Sequence, residues 1–436
     1  MLHFSDYIKK NPKKNGNLLV IYGAGIVGRL ALEALNQKNI NVDFFCDSDP
    51  RKLKIKVKNV EIISPETLEK LNKETNIFVS IQYFSSIIPF LEKKGFKNLY
   101  KVTDLLSNSN LEEYYKPEWA LDLGLADLPY SSVLRIVDFY NKMAMKNEYL
   151  KEGKLNVKTI DIQVTERCSL KCQDCSNLMQ YYSRPQNSEE NVMFKSIERF
   201  MSCVDSLDEF RVIGGDPFMH KEVYKVINKL ATYDKNKKIV IYTNAKIVPK
   251  NQNLECLKNN KVLVYITNYG RDSIAHDAIV EVFKKENINY TTFKCTTWLD
   301  CGRIMPYSNK SEEALEHQFN NCCVSDLLSL LHGKLYRCPF AANAVNLEAI
   351  PKNSTDEVNL LDDNLNINEL REQIKRLCYD KKYITACSYC NGRDYSVATI
   401  PSAIQTRKPL SYKTVKNNKI KNFNNAMIFM HLFEEY

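Results

Sequence analysis

The chain has 436 residues, 44% of them hydrophobic, and carries a formal charge of +9. That is too long for one ordinary domain and too apolar for a disordered chain, so two or three packed domains are expected. The lysines are scattered, with no aromatic-rich stretch among them. This argues against a nucleic-acid surface and is compatible with an anionic small molecule.

The first residues, MLHFSDYIKKNPKKNG, lack an apolar core segment, and no apolar stretch is long enough to cross a bilayer. Fourteen cysteines without a secretory signal point to a reducing cytoplasm, where thiols stay available for metal. Residues 1–105 read as a small α/β domain. LLVIY (18–22) is a buried strand, GAGIVG a turn, RLALEALNQK a helix and VDFFCD a second strand, followed by IFVSI (77–81), a helix, and a strand near NLYKV. Gly23, Gly25 and Gly28 thus form G-x-G-x-x-G between strand and helix, where backbone N–H groups can approach a phosphate. Asp47 lies 19 positions after Gly28, where an acidic residue would meet a ribose hydroxyl. The unit is half the size of a dinucleotide-binding domain, which points to a nucleotide or nucleotide-sugar. The alternative is a docking domain whose glycines only shape a turn. The stretch also resembles the N-terminal nucleotide-binding domain of sugar acyltransferases of surface-glycan pathways, with VEIISPETL (60–68) carrying the likeness.

Residues 106–156 carry apolar residues at helical spacing and read as a helical connector. Over 157–320 strands and helices alternate again: TIDIQV (159–164), a helix across 189–206, EFRVI (209–213), KIVIYTN (238–244), KVLVYITN (261–268) and NYTTFKC (289–295). The pattern predicts a partial parallel (β/α)6 barrel with its site at the C-terminal strand ends.

The first of these strands runs into CSLKCQDC, which places Cys168, Cys172 and Cys175 in one short loop. Three thiolates ligate three corners of a four-iron cube and leave one iron open to a small molecule. A disulfide within so short a loop is strained. The run resembles the radical SAM superfamily, in which the open iron binds S-adenosylmethionine and its reductive cleavage gives a 5′-deoxyadenosyl radical. Asp174 stands where the family usually has an aromatic residue. Gly214, Gly215 and Asp216 resemble the family's GGE motif, which implies a partner for the amino group of S-adenosylmethionine, with Asp one methylene shorter than Glu. Thr243 and Asn244, with Thr267, end the next two strands, where the family uses polar groups to hold the cofactor. A polar turn residue is the plain alternative at each.

Residues 321–395 hold a second set. Cys323, Gly333, Cys338 and Cys387-x2-Cys390 resemble the twitch extension of the family, which implies an auxiliary four-iron cluster with no open iron. Cys322 is the alternative to Cys323, and a four-cysteine zinc site is the rival for the whole set. Cys295 and Cys301 lie near the end of the fifth strand, with Trp298 and Asp300 as candidate pocket residues. Residues 396–436 read as a C-terminal tail or helix.

CSNLMQYY (175–182), CPFAANA (338–344) and CSYCNG (387–392) look like a radical SAM subgroup of surface-glycan clusters. The resemblance implies hydrogen abstraction from a sugar or nucleotide-sugar, two [4Fe-4S] clusters, and an external reductant such as flavodoxin or ferredoxin. A peptide-modifying maturase and a non-catalytic iron–sulfur carrier or redox sensor are the alternatives. The GGDP strand end speaks against the carrier.

Overall fold

The computed structural model describes residues 2–10, 16–80, 84–102, 105–106, 111–116, 119, 125–126, 154–320, 322–324, 327–393, 397–415 and 420–421. Most of the expected helical connector, and the last stretch of the expected tail, lie outside the described residues. The chain divides into two compact units, residues 1–158 with 289–294, and residues 159–288 with 295–436.

In the first unit, α1 (Phe4–Lys10) precedes β1 (Leu19–Tyr22), α2 (Ile26–Asn36), β2 (Phe44–Cys46), β3 (Lys56–Val57), β4 (Val60–Ile63), α3 (Pro65–Leu68), β5 (Asn76–Val79), α4 (Phe84–Lys93) and β6 (Leu99–Lys101). The six strands lie in the order β3-β4-β2-β1-β5-β6. All pairs are parallel except the β3–β4 hairpin. Strands β1 and β5 are buried at every position, as expected of parallel strands covered on both faces. Val20, Tyr22, Ile77 and Val79 join one apolar cluster, while Leu19, Ile21 and Phe78 join another with the α2 residues Leu30, Ala31 and Ala34. The alternation along each strand feeds two cores, and each buried Leu or Ile contributes about 1.5–3 kcal/mol. Chain order reverses between β1 and β5, so the loop after β1 sits at a topological switch point.

A two-residue strand, β7 (Leu125–Ala126), completes the first unit's run before β8 (Asn156–Thr165), α5 (Glu190–Cys203), β9 (Ser206–Gly214), α6 (Val223–Ala231), β10 (Asn236–Thr243), β11 (Val262–Asn268) and α7 (His276–Lys285). Beyond these come β12 (Tyr290–Cys295), β13 (Thr297–Leu299), α8 (Glu312–Asn320), β14 (Leu327–Leu331), β15 (Lys334–Tyr336), α9 (Pro339–Asn346), β16 (Glu357–Asn359), α10 (Ile367–Lys375) and β17 (Thr399–Pro401). In the second unit the strand order runs β16-β15-β14-β8-β9-β10-β11. Pairs β9–β10, β10–β11 and β14–β8 are parallel, while β14–β15–β16 is an antiparallel meander.

The period-2 geometry of β8 sorts its residues. Ile160, Ile162 and Val164 alternate with Asp161, Gln163 and Thr165, and all six are buried. Two of the three polar residues meet a partner across the sheet: Asp161 forms an ion pair with Arg211 on β9 at 3.1 Å, and Gln163 donates to Ser329 on β14 at 2.7 Å. Glu209 and Lys238 form a second buried pair at 2.9 Å. Charges this deep persist only when paired.

Candidate active site

The strand ends of β8, β9 and β10 carry the expected site residues to one place. A cavity of about 360 Å³ is lined by Cys168, Cys172 and Cys175, by Gly214 and Gly215, by Thr243 and Asn244, and by Thr267. Thus the three thiols and the polar strand ends, far apart in sequence, share one space. Arg211 and Tyr242 also line it, the guanidinium 4.7 Å from the tyrosine ring centre. Tyr269 and Trp298 meet edge to face at 5.6 Å in the wall.

The cysteine loop is held by backbone on both sides. Gly215 N donates to Thr165 O at 2.8 Å and Asp216 N to Arg167 O at 2.9 Å. A Cβ on Gly214 would stand 2.1 Å from Thr165 O, and one on Gly215 would stand 2.0 Å from Arg167 O. Gly214 also has φ +148°, which side chains rarely adopt. Both glycines are therefore required first by strand-to-loop contact. On the other side, residues 403–406 cross the loop: Gln173 N donates to Ile404 O at 2.8 Å and Thr406 N to Lys171 O at 2.7 Å. Strand β17 pairs antiparallel with β13. Residues 397–415 consequently belong to the body of the second unit rather than to a tail. Their sequence has no long periodic run to mark them.

Each thiol has donors aimed at it. Asn244 Nδ2 lies 3.5 Å from Cys168 Sγ, and Gln405 Nε2 lies 3.2 Å from Cys172 Sγ. Backbone N–H groups of Met179, Asn177 and Leu178 face Cys175. Burial pushes all three thiols up, Cys172 to about 12, so each holds its proton until a metal displaces it. Gln405 carries no sequence signal.

Asp216 is placed differently from the expectation. It is 1% exposed and is not among the cavity's lining residues. Its carboxylate accepts from Thr243 Oγ1 at 2.9 Å, Asn244 N at 2.9 Å and Phe218 N at 3.0 Å. It thereby fixes the end of β10 instead of facing a ligand. Asp174 does line the cavity and pairs with Arg303 Nε at 2.5 Å. Trp298 and Cys301 line it too, whereas Cys295 and Asp300 do not.

The second cysteine set also converges. A small cavity is lined by Cys322, Cys338, Cys387 and Cys390. The β14–β15 turn is His332-Gly333, both at positive φ, as a two-residue hairpin demands. Cys338 caps α9, its sulfur accepting from Ala341 N at 3.3 Å, with Pro339 at the first helical position. Cys390 Sγ accepts from Gly392 N at 3.3 Å. Burial pushes Cys338, Cys387 and Cys390 up to about 12. The expected Cys323 is not part of this lining. It lines the larger cavity beside Cys301, because successive side chains here diverge and Cys322 takes the inward position. Among the described residues no group of three or more His, Cys, Asp or Glu is arranged to hold one metal ion. A four-iron cube offers each thiolate its own corner, so its ligands stand farther apart than those of a single ion.

The family model described as a 4Fe-4S single cluster domain matches residues 162–274, from β8 through the strand end of β11. GTP 3′,8-cyclase of Clostridium acetobutylicum is 24% identical over 289 residues, spanning 61% of this chain and 86% of that enzyme. The chain is a radical SAM enzyme. A second GTP 3′,8-cyclase, from Helicobacter pylori, is 24% identical over 136 residues, 30% of this chain and 40% of that one. Among solved structures, anSMEcpe with bound AdoMet is 14% identical with a TM-score of 0.35, over 50% of this chain and 80% of that chain. BtrN in complex with AdoMet and 2-DOIA is also 14% identical with a TM-score of 0.35, over 61% of this chain and 98% of that chain.

In the first unit of this radical SAM enzyme, Gly23 has φ +106° and its N–H donates to Cys46 O at 2.7 Å. A Cβ on Gly28 would stand 1.9 Å from Gly23 O, so Gly28 lets α2 pack on the turn. Gly25 stands at the N-terminus of α2, with nothing within 4 Å of a built Cβ. Asp47 differs from the expectation of a ribose partner. Its Oδ2 accepts from Ala24 N at 2.7 Å and Lys52 Nζ at 3.0 Å, and its Oδ1 from Asp49 N at 2.9 Å. The carboxylate pins the glycine turn from within. Among the described residues no helix is long and apolar enough to cross a membrane.

Proposed function

We propose that this radical SAM enzyme holds two four-iron clusters and takes a hydrogen atom from a sugar or nucleotide-linked sugar, in the cytoplasm, during surface-polysaccharide synthesis. The observation that carries the reading is the single cavity shared by Cys168, Cys172 and Cys175 with Gly214, Gly215, Thr243, Asn244 and Thr267. The three thiols would hold the cluster with the open iron. The backbone at Gly214–Gly215 and the polar groups of Asn244 and Thr267 would hold S-adenosylmethionine. Cys322, Cys338, Cys387 and Cys390 would hold the auxiliary cluster. When bound, the first cluster and S-adenosylmethionine together supply a primary carbon radical by one-electron reduction, the electron coming from a flavodoxin or ferredoxin.

The chain's own part is binding and exclusion. Trp298 and Tyr269 give the cavity an aromatic wall against water, and Arg211, paired with Asp161, lies beside Tyr242 in the same lining. We read the parallel strands β8–β11 as part of a partial barrel, and residues 1–105 as a nucleotide-binding domain. The glycine turn at a switch point supports the second of these. The name of the Clostridium relative is that of an enzyme acting on a nucleotide, which favours a nucleotide-linked substrate over a peptide.

Anaerobically reconstituted protein, given S-adenosylmethionine and dithionite, is expected to release 5′-deoxyadenosine. Deuterated nucleotide-sugars, with GTP as comparison, are expected to pass deuterium into it. The triple variant Cys168→Ala, Cys172→Ala, Cys175→Ala is expected to release none. Release by that variant would refute the site, deuterium transfer from GTP alone would refute the sugar, and zinc in place of the second cluster would refute the auxiliary assignment.

A further inference from the structure

Resting on the two-cluster reading, we infer that Arg393 is the electrostatic link between the two cysteine sites. Its guanidinium raises the reduction potential of the auxiliary cluster and ties that cluster's arm to the loop that carries Cys175. Among the described residues, Arg393 is the one shared by the linings of the large cavity and the small one. It follows Cys390 at three positions, so its backbone moves with the auxiliary arm. Its carbonyl accepts from Cys323 N at 3.1 Å. Its Nη2 donates to the carbonyl of Ser176 at 3.3 Å, the residue after Cys175. One side chain therefore touches the backbone of the S-adenosylmethionine-side loop while its main chain is bonded beside the auxiliary set.

The electrostatics agree with the geometry. A guanidinium keeps its charge at any working pH, so buried Arg393 is a fixed cation with Cys301, Cys322, Cys323 and Cys390 around it. A cluster with four thiolates is an anion, and each added electron increases its negative charge. A fixed cation beside it favours the reduced form, since charge near a cluster is one of the levers that set its potential. Arg suits the task better than Lys because its planar fork can keep one N–H on the Ser176 carbonyl and turn the others toward sulfur.

The test uses the full-length protein with both clusters reconstituted, titrated by spectroelectrochemistry with EPR readout. In Arg393→Met the auxiliary signal is expected to move to more negative potential by at least tenfold in the reduction equilibrium, about 59 mV for one electron. Arg393→Lys, which keeps the charge, is expected to stay near wild type. Iron content separates the two readings. If the wild-type protein never carries a second cluster, the two-cluster reading fails before Arg393 is at issue. If both clusters load and Arg393→Met leaves the auxiliary potential unmoved, this inference is overturned. Loss of auxiliary iron in Arg393→Met but not in Arg393→Lys supports the need for charge. Loss in both assigns Arg393 a packing role and overturns the inference.

Discussion

Substituting Gly215 by Ala tests whether strand β9 truly sets the cysteine loop. The added Cβ would fall 2.0 Å from Arg167 O, 2.4 Å from Arg167 C and 2.7 Å from Cys168 N. All three are backbone atoms, so no side chain can swing aside, and the strand end or the loop must retreat by more than an ångström. Retreat strains the two backbone hydrogen bonds at 2.8 and 2.9 Å, each contributing about 0.5–1.5 kcal/mol. Overpacking adds about 1–3 kcal/mol. The sum, about 2–6 kcal/mol, corresponds to a fall of roughly 4–12 °C in the unfolding midpoint of a unit this size. Because Cys168 N is one of the crowded atoms, 5′-deoxyadenosine release is expected to drop about a hundredfold, the usual cost of a 1 Å misplacement. Differential scanning calorimetry and single-turnover cleavage measure the two effects. Gly25→Ala is the stability control, since its Cβ meets nothing within 4 Å. A Gly215→Ala protein with the wild-type midpoint and wild-type cleavage would show that the close contact does not position the loop.

Cys322→Ala is expected to lose the auxiliary iron, about half of the total, whereas Cys323→Ala is expected to keep it. Iron and labile-sulfide analysis decides, and the reverse pattern would return the ligand role to Cys323. Burial, partly opposed by the Arg211 guanidinium, raises the Asp161 carboxyl to about 6. Its unfolded value is about 3.9, so the folded protein binds the extra proton between those values and stability falls as pH rises from about 4 to 6, by at most about 3 kcal/mol. Urea titrations across that window are expected to lose this slope in Asp161→Asn, and an unchanged slope would reject the assignment. Asp47→Ala orphans the Ala24 amide and the Lys52 ammonium and is expected to destabilise the first unit by about 3–5 kcal/mol. Chemical denaturation monitored in that unit would contradict the structural role if it found less than about 1 kcal/mol.

The sequence by itself determined the strands and the convergence of the first cysteine loop. Strands such as β8 and β10 are short apolar runs with helices between them, a pattern local enough to read directly. The C-x3-C-x2-C spacing confines Cys168, Cys172 and Cys175 to one turn of chain, so their convergence needed no tertiary information. Direction was harder. Whether Asp216 and Asp47 face a ligand or their own backbone depends on which amides stand nearby. Those amides belong to Asn244 and to Ala24, 28 and 23 positions away. Which of Cys322 and Cys323 lines the small cavity depends on which of two adjacent side chains points inward, a fact no spacing rule encodes. Gln405, Arg393 and the strap over residues 403–406 were invisible because their roles exist only once distant segments meet across the cysteine loop. Spacing fixes what a short loop can hold, and tertiary packing decides which polar groups are left free to act.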